Sequence, residues 1–462
     1  MTFPAVGAGN QNPGFLDERR EHAYLPLTIA LAYVCGTYLL FLTSPLAETA
    51  PSVGLTTLFI GGVALAFAVG YIVGVKVPDS RAYSEVGVGV GVGVGVGARR
   101  ATKGIRVLIL ASALWFILFG VASLYEYGAT GLGDILQSIQ NPSQGYFDKF
   151  AVVEEQQATG RVNVFLQVAV LTGGLYFALV PLLVVYWKNV GRAFRILGVA
   201  SIGVYLAYFL FIGTQKGVGD LLAFVIASAL VVVGTKTRAR GNGRFTNRRA
   251  VRGLVAFVIL LALLFFVFLA NIQGDRIYGK SVAAQYQTSA VISELFGEKF
   301  ALGVAITIYY PTHGYEGLAQ QLELPFVFSG GASVPALADY KVQYLGGTDP
   351  MTLSYPVRNE AITGRPAGQV WSTVFPWLAS DLTFMGVIAF AGVFGGIFAR
   401  TWLVARRTLD PLAIIMFSVL LLAVMYIPAN NQVMLSRYTA LGFLQLCLVY
   451  VLRGVHRALG KK

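Results

Sequence analysis

The sequence predicts an all-α, polytopic integral membrane protein with about ten transmembrane helices and one large loop outside. Three observations carry this expectation. The 462 residues are 56% hydrophobic and only 12% charged, roughly half the charge of a soluble domain, and the mean hydropathy is +0.67. Apolar runs of roughly 18 or more residues recur along the whole chain, which is the length needed to cross a bilayer as helix. The charged residues fall between these runs with opposite signs on alternate sides.

Residues 1–23 form a polar tail containing Asp17-Glu18-Arg19-Arg20-Glu21. The apolar run after it is long and lacks a small-residue cleavage pattern, so it reads as a retained span rather than a cleaved signal. Spans are expected at about 24–43, 53–75, 105–125, 163–187, 196–213, 219–235, 253–271, 382–400, 411–427 and 432–452. This divides the chain into a first bundle of seven spans (24–271), a large outer loop (272–379), a second bundle of three (380–452) and a basic tail (453–462). Within the first bundle, only Thr214-Gln215-Lys216-Gly217-Val218 separates the fifth and sixth spans, which therefore form a tight hairpin. The loop at 76–104 contains an alternation of Val and Gly from Val86 to Gly97. Glycine at every second position carries a large ordering entropy, so this segment reads as a linker rather than a strand. The loop at 126–162 is polar, with Asn141-Pro142 as a turn signal. Inside the large loop, the moderately apolar stretch from Thr288 to Tyr310 carries Glu294, Glu298 and Lys299. That pattern suits a helix lying at the interface or re-entering better than a full span.

Charge orients the chain. With the N-terminus inside, the inner segments hold 25 of the 35 Lys and Arg but 6 of the 22 Asp and Glu. The basic loop 236–252, Arg99-Arg100, Arg406-Arg407 and the C-terminal tail supply much of this excess. Such a bias is the positive-inside signal. It also explains the net charge of +13 as a topological feature facing anionic lipid, not as a nucleic-acid surface. Cys35 and Cys447 lie inside apolar runs and read as packing residues, without disulfide or metal-ligand spacing.

Three outer cations stand near span ends. Lys216 sits at the hairpin tip, Arg276 follows the seventh span in Gly274-Asp275-Arg276, and Arg437 lies at the outer end of the last span. Ionisable residues at such depth are functional candidates. Converging there, they suit a lipid-linked diphosphate, which Arg grips bidentately and Lys meets as a point charge. His22 and His456 lie in the inner tails, leaving His313 as the one outer imidazole. It is the best general-base candidate by type, with Glu316, Asp275 and Asp381 as alternatives. No Walker-type loop, Gly-x-Ser-x-Gly elbow, outer Asp-x-Asp pair or His/Cys cluster is present.

The segment Tyr309-Tyr310-Pro311-Thr312-His313-Gly314-Tyr315-Glu316-Gly317-Leu318, followed by Leu324-Pro325-Phe326 and Gly330-Gly331, resembles the signature of bacterial oligosaccharide repeat-unit polymerases, the Wzy-type O-antigen polymerases. Trp371-Ser372-Thr373-Val374-Phe375-Pro376-Trp377-Leu378-Ala379-Ser380-Asp381, running into Phe384-Met385-Gly386, is similar to that family's Trp-Thr…Trp-x-x-Asp…Gly stretch. Elsewhere the likeness is one of topology. The resemblance implies a GT-C-type fold and a glycosyltransferase that needs neither metal nor cofactor. It would use undecaprenyl-diphosphate-linked glycans as donor and acceptor in a bacterial plasma membrane, alongside a flippase and a chain-length regulator. The family is described with arginine-rich outer loops, whereas this loop offers chiefly Arg358 and Arg365 as further substrate-binding candidates. O-antigen ligases share the fold and a loop histidine, so a ligase remains an alternative. A secondary transporter is the rival from another class, although the two halves show no repeat.

The charge asymmetry makes a direct prediction. In a chain whose Cys35 and Cys447 have been replaced, a cysteine at Asn242 stays unlabelled by an impermeant maleimide in intact cells. Labelling there would invert the topology.

Overall fold

The structure is a computed structural model describing residues 22–77, 102–159, 163–238, 248–368 and 370–459. The polar tail, the Val-Gly alternation, most of the basic loop and the last three residues therefore lie outside the described residues. Everything regular among the described residues is helical. The helices named below are α1 (Leu25–Leu42), α2 (Val53–Lys76), α3 (Lys103–Glu126), α4 (Leu132–Gln140), α5 (Pro142–Thr159), α6 (Val164–Leu171), α7 (Leu179–Val185), α8 (Arg192–Phe211) and α9 (Lys216–Arg238). They continue as α10 (Arg248–Ile277), α11 (Ala290–Phe296), α12 (Glu298–Tyr309), α13 (His313–Gln321), α14 (Ala338–Leu345), α15 (Tyr355–Thr363), α16 (Phe375–Thr408), α17 (Pro411–Met425) and α18 (Arg437–Leu459).

Every expected span position carries helix, but not every one is a simple span. Among the described residues, eight helices are long and apolar enough to cross a bilayer: α1, α2, α3, α8, α9, α10, α16 and α18. The expected fourth span is bent by 66° between α6 and the segment Gly173–Val185. The expected ninth, α17, has only 15 residues, and its apolar side chains are almost all buried within the bundle. A helix of that length spans about 22 Å, short of a bilayer core of about 30 Å. The expected last span begins late, because the short helix Gln432–Leu435 ends at an extended Ser436. The eighth starts early, at Phe375, and breaks at Thr383, whose φ of 65° is left-handed. A β-branched residue rarely adopts that conformation.

Local capping explains several boundaries. Thr102 and Asn163 accept from the first-turn amides of α3 and α6. Asp410 accepts the Ala413 amide at the start of α17 and also takes the Arg453 guanidinium on both oxygens, at 2.6 and 2.8 Å. One side chain thus caps one helix and ties it to the next.

Glycine sets the closest helix pair. Along α2 and α16, Gly70 faces Gly392, Gly74 faces Gly396, and Gly395 faces Phe67. A methyl group on Gly70 would overlap the Gly392 carbonyl oxygen. Small residues at such a seam allow the backbone contact that substitutes for a hydrophobic drive between helices in lipid.

The two ends of the bundle separate cleanly by contact. At one end, Arg400 donates to the Val77 carbonyl, Trp402 to that of His22 and Tyr186 to that of Leu409. At the other, α10 runs on to Ile277, beyond the expected span end at 271, and the described residues from 278 to 374 carry α11–α15, which pack over the bundle. Tyr315 shares a 2.9 Å hydrogen bond with Thr37 of α1, Ser52 donates to Glu323, and Asn431 donates to the Ser333 carbonyl. The stretch from Thr288 to Tyr310 is two helices, not one, because Gly297 (φ 87°) breaks it. α12 turns back along the end of α10, where a methyl on Gly303 would overlap the Ala270 carbonyl oxygen. At 12 residues it is too short to cross.

The glycine seam makes the next prediction. Gly70→Leu forces α2 and α16 apart and costs on the order of 1–3 kcal/mol or more. Thermal unfolding of the detergent-solubilised protein reads this as a lowered midpoint, while Gly61→Leu, where the added carbon meets open space, leaves it unchanged.

Candidate functional site

α13 begins where α12 ends, after the single turn Tyr310–Thr312. Gly314 and Gly317 let this helix lie against the 371–373 segment and the Pro428 carbonyl, contacts that a β-carbon would occlude. The floor beneath is stitched by Thr373 and Val374, whose amides donate to Ala429 and Ile427. Thr373 itself is buried with φ 64°, so strained backbone underlies the first turn of α13.

His313 opens that turn. Its Nε2 lies 2.8 Å from the Tyr286 hydroxyl. Arg365 reaches the His313 carbonyl at 3.5 Å and forms an ion pair with Glu316. Burial, and then the Arg365 guanidinium, push the imidazole pKa down to about 4, so the ring is neutral at physiological pH. Burial, and then the Glu316 carboxylate, hold the Tyr286 hydroxyl up at about 12. The histidine, glutamate and one loop arginine named from sequence thus form a single cluster. Tyr286 completes it, and no spacing in the sequence pointed to that residue.

Asp381 belongs elsewhere. Its carboxylate accepts from the Ser329 hydroxyl at 2.6 Å and from the amides of Gly331 and Ser333 at 2.8 and 2.9 Å. It anchors the 329–333 turn to α16. Arg358 donates to the Pro325 carbonyl at 2.9 Å and lies over the Tyr355 ring, holding the loop to itself.

Each of the three span-end cations already contacts a group of the protein. Lys216 is already paired with Asp220 at 2.7 Å, one helical turn away. Asp220 is fully buried and also accepts from the hydroxyls of Tyr176 and Tyr426. Tyr205 bonds Tyr176 at 3.3 Å and lies 3.4 Å from the Tyr438 hydroxyl. Arg276 donates to the Gly213 carbonyl in the hairpin turn and stacks on Tyr146, 4.0 Å from the ring centre. Arg437 is exposed, with its guanidinium 5.0 Å from the Tyr340 ring centre. The Lys216–Asp220 pair was legible as an i,i+4 spacing.

Around Arg276 a set of donors stands unsatisfied. Thr214 Oγ1 and Gln215 Nε2 in the hairpin turn, with Arg276 Nε on α10, are buried without a hydrogen-bond partner in the protein, while Gln273 lies within hydrogen-bonding reach of the Tyr310 hydroxyl. Buried donors are normally paired, and here three on two adjoining segments have no acceptor in the protein. Tyr310, within electrostatic reach of Arg276, links this locale to His313 three residues on. An apolar groove of about 610 Å3, lined by Phe266, Ile292, Phe296 and Phe300 among others, opens between α10 and the α11–α12 pair. Among the described residues, no group of three His, Cys, Asp or Glu side chains is placed to hold a metal ion.

The fold and these contacts define a polytopic α-helical membrane protein whose elaborated loop covers one end of the bundle. No protein-family model matches the chain, and no curated protein or solved structure matches it.

The buried pair makes a sharp prediction. Asp220→Leu strands the Lys216 charge and costs on the order of 3–5 kcal/mol, read as a loss of folded protein on a thermal ramp. Adding Lys216→Met to that variant restores a large part of the loss, because no unpaired charge is left behind. An equal loss in the double variant would refute the pairing.

Proposed function

We propose that the protein is a metal-independent glycosyltransferase that polymerises lipid-linked oligosaccharide repeat units at the outer face of a bacterial plasma membrane. The observation that carries this is the group of unsatisfied buried donors around Arg276, next to Lys216. Donors without acceptors at the end of a span suit an anion delivered by a lipid, and a polyprenyl diphosphate is such a group. The apolar groove beside α10 supports an amphiphilic substrate. The resemblance of the 309–318 and 371–386 segments to repeat-unit polymerases gives the reaction class.

In this reading the acceptor sugar's hydroxyl oxygen attacks the anomeric carbon of the donor. The bond from that carbon to the diphosphate oxygen breaks, and its electron pair leaves with the diphosphate. Arg276, Thr214 and Gln215, with Lys216 nearby, stabilise the developing charge. The proton of the attacking hydroxyl passes to the neutral His313, which Tyr286 orients. A base with a pKa of about 4 is adequate here because the attacking oxygen becomes strongly acidic as its bond to the oxocarbenium-like carbon forms. Glu316, through Arg365, fixes the backbone of the His313 turn. Arg437 and Arg358 have a weaker claim, as holders of the loop that covers the site.

A second reading, secondary transport, draws on the buried Lys216–Asp220 pair, since ionisable groups inside a bundle often mark an ion path. Uptake of a labelled solute by proteoliposomes, without glycan transfer, would favour it.

His313→Ala tests the proposal. Turnover of lipid-linked repeat units falls on the order of 10²–10⁴-fold with folded protein retained. In cells, single repeat units on the final acceptor mark a lost polymerase, whereas an acceptor without glycan marks a lost ligase. Normal chain length in a well-folded variant would end the claim for His313. The pH profile gives a second check. Because the folded pKa is about 4 against about 6.5 for a free imidazole, the rate shows no limb near pH 6.5 from this group. Stability from the same shift is full above about 6.5 and is lost as pH falls toward 4, since the unfolded chain takes the proton first. His313→Gln flattens that slope.

A further inference from the structure

A second cavity, larger than the groove beside α10, has a volume of about 790 Å3, within the range of roughly 300–1,000 Å3 that organic ligands occupy. Three span ends meet there: Gly128 after α3, Phe211 and Ile212 closing α8, and Asp275 near the end of α10. Helices α4 and α5, from the polar loop at 126–162, form its roof.

The lining has a distinctive chemistry. Gln137, Gln140, Asn141 and Gln144 contribute four carboxamides, joined by Ser138 and Tyr127. Each carboxamide both donates and accepts, which matches hydroxyls that do the same. The charged members nearly cancel: three aspartates (134, 148 and 275) face two lysines (149 and 299). Of these, Asp275 and Lys299 are already paired with each other, and Asp148 accepts from Gln144 at 2.7 Å. Such a surface does not select a phosphate, nor does it select a cation. Phe211, Ile212 and Val152 add apolar surface among the polar groups, as a ligand with both hydroxyls and C–H faces requires.

The roof is built to stay over the cavity. Gly145 lets α5 approach so closely that a β-carbon there would lie 2.5 Å from the Phe211 carbonyl oxygen. Leu132 and Leu136 of α4 are 79% and 61% exposed and stand one turn apart, opposite Asp134, Ser138 and Asn141 of the lining. An exposed apolar pair of that kind suits the interfacial layer of a bilayer. Lys149 lies with its ammonium 4.6 Å from the Tyr146 ring centre and 4.4 Å from that of Phe150. Tyr146 is also the ring that carries Arg276 on its face. Burial, and then the Arg276 charge, lower the Lys149 pKa to about 8. The Tyr146 ring thus stands between Lys149 of the cavity lining and Arg276.

We infer that the cavity under α4 and α5 is a carbohydrate-binding groove that holds a neutral stretch of several sugar residues through Gln137, Gln140, Asn141, Gln144 and Asp148. The identity of the ligand rests on the glycan-transfer reading, whereas the groove's preference for a neutral polyhydroxylated chain rests on its own lining. Placed beside the Arg276 locale, it holds the body of a glycan whose reactive end lies near the donors. It therefore sets which repeat unit is accepted.

Hydrogen–deuterium exchange of the full chain in lipid nanodiscs tests this. The probe is the oligosaccharide released by mild acid from the source cell's own lipid-linked intermediates, so no diphosphate is present. Slower exchange over residues 132–152 on adding it supports the groove. The double variant Gln144→Ala, Asp148→Ala weakens that protection so that about tenfold more oligosaccharide is needed, with an unchanged thermal midpoint. Leu136→Ala, on the outward face, leaves it alone. No protection at 132–152, or protection only elsewhere, overturns the groove even where turnover of lipid-linked glycan is intact. Protection at 132–152 in a protein without turnover upholds the groove and removes the transferase reading instead. Equal protection by inorganic diphosphate alone would also overturn it, by showing an anion site.

Discussion

Asp220 carries a carboxylate into the interior of an apolar bundle, where an isolated charge is very costly. Three donors from three segments make it tolerable: Lys216 within α9, Tyr176 at the bend between α6 and α7, and Tyr426 at the end of α17. Tyr205 from α8 and Tyr438 from α18 extend the network. Five parts of the chain thus meet in one network around this carboxylate. The 66° bend of the fourth span places Tyr176 there, and the shortness of α17 brings Tyr426 to the same depth. Both departures from a simple span serve this junction. The aromatic rings around it, with Trp115, Phe116 and Phe119 packed on Tyr176, Tyr205 and Tyr438, keep water out.

That junction fixes the hairpin turn that precedes Lys216, and the turn in turn holds Arg276 through the Gly213 carbonyl. Arg276 therefore answers to two constraints, a buried carboxylate behind it and the Tyr146 ring before it. Its Nε, with the Thr214 hydroxyl and the Gln215 amide, is left without a partner in the protein. On the loop side, His313 depends on two glycines and a strained Thr373 for its approach to the bundle end. Strain of that kind persists only where the surroundings over-determine it.

The helical, membrane-spanning character was fully legible, because apolar length is a local property of the sequence. All ten expected positions are helical. The bend after Leu171 had a signal in Gly173-Gly174, which sit at the break, whereas the left-handed Thr383 has neither Pro nor Gly beside it and arises from tertiary packing. The cluster of His313, Glu316 and Arg365 was partly legible: the first two share a short segment, but only the fold brings Arg365 and Tyr286 to them. The contacts of Asp381 were hidden for a related reason. Its sequence neighbours said nothing of the 329–333 turn that consumes its oxygens. The expectation that Lys216, Arg276 and Arg437 converge on a lipid-linked diphosphate took no account of the contacts each already makes, of which Asp220 was within one turn of Lys216.

Helix α10 is the outlier of the bundle, with only 6% of its spanning window buried. Its firmest lateral neighbour is α12, seated at Gly274 and Gly303. That neighbour is translated later and belongs to the loop, not to another span. On the ribosome, α10 thus enters the lipid before its partner exists. It lies there against α9 until residues 298–309 emerge and fold back. Insertion and docking are then two events separated in time. A helix left so bare on its other flank also meets mostly acyl chains, so the composition of the surrounding lipid bears directly on where Arg276 comes to rest.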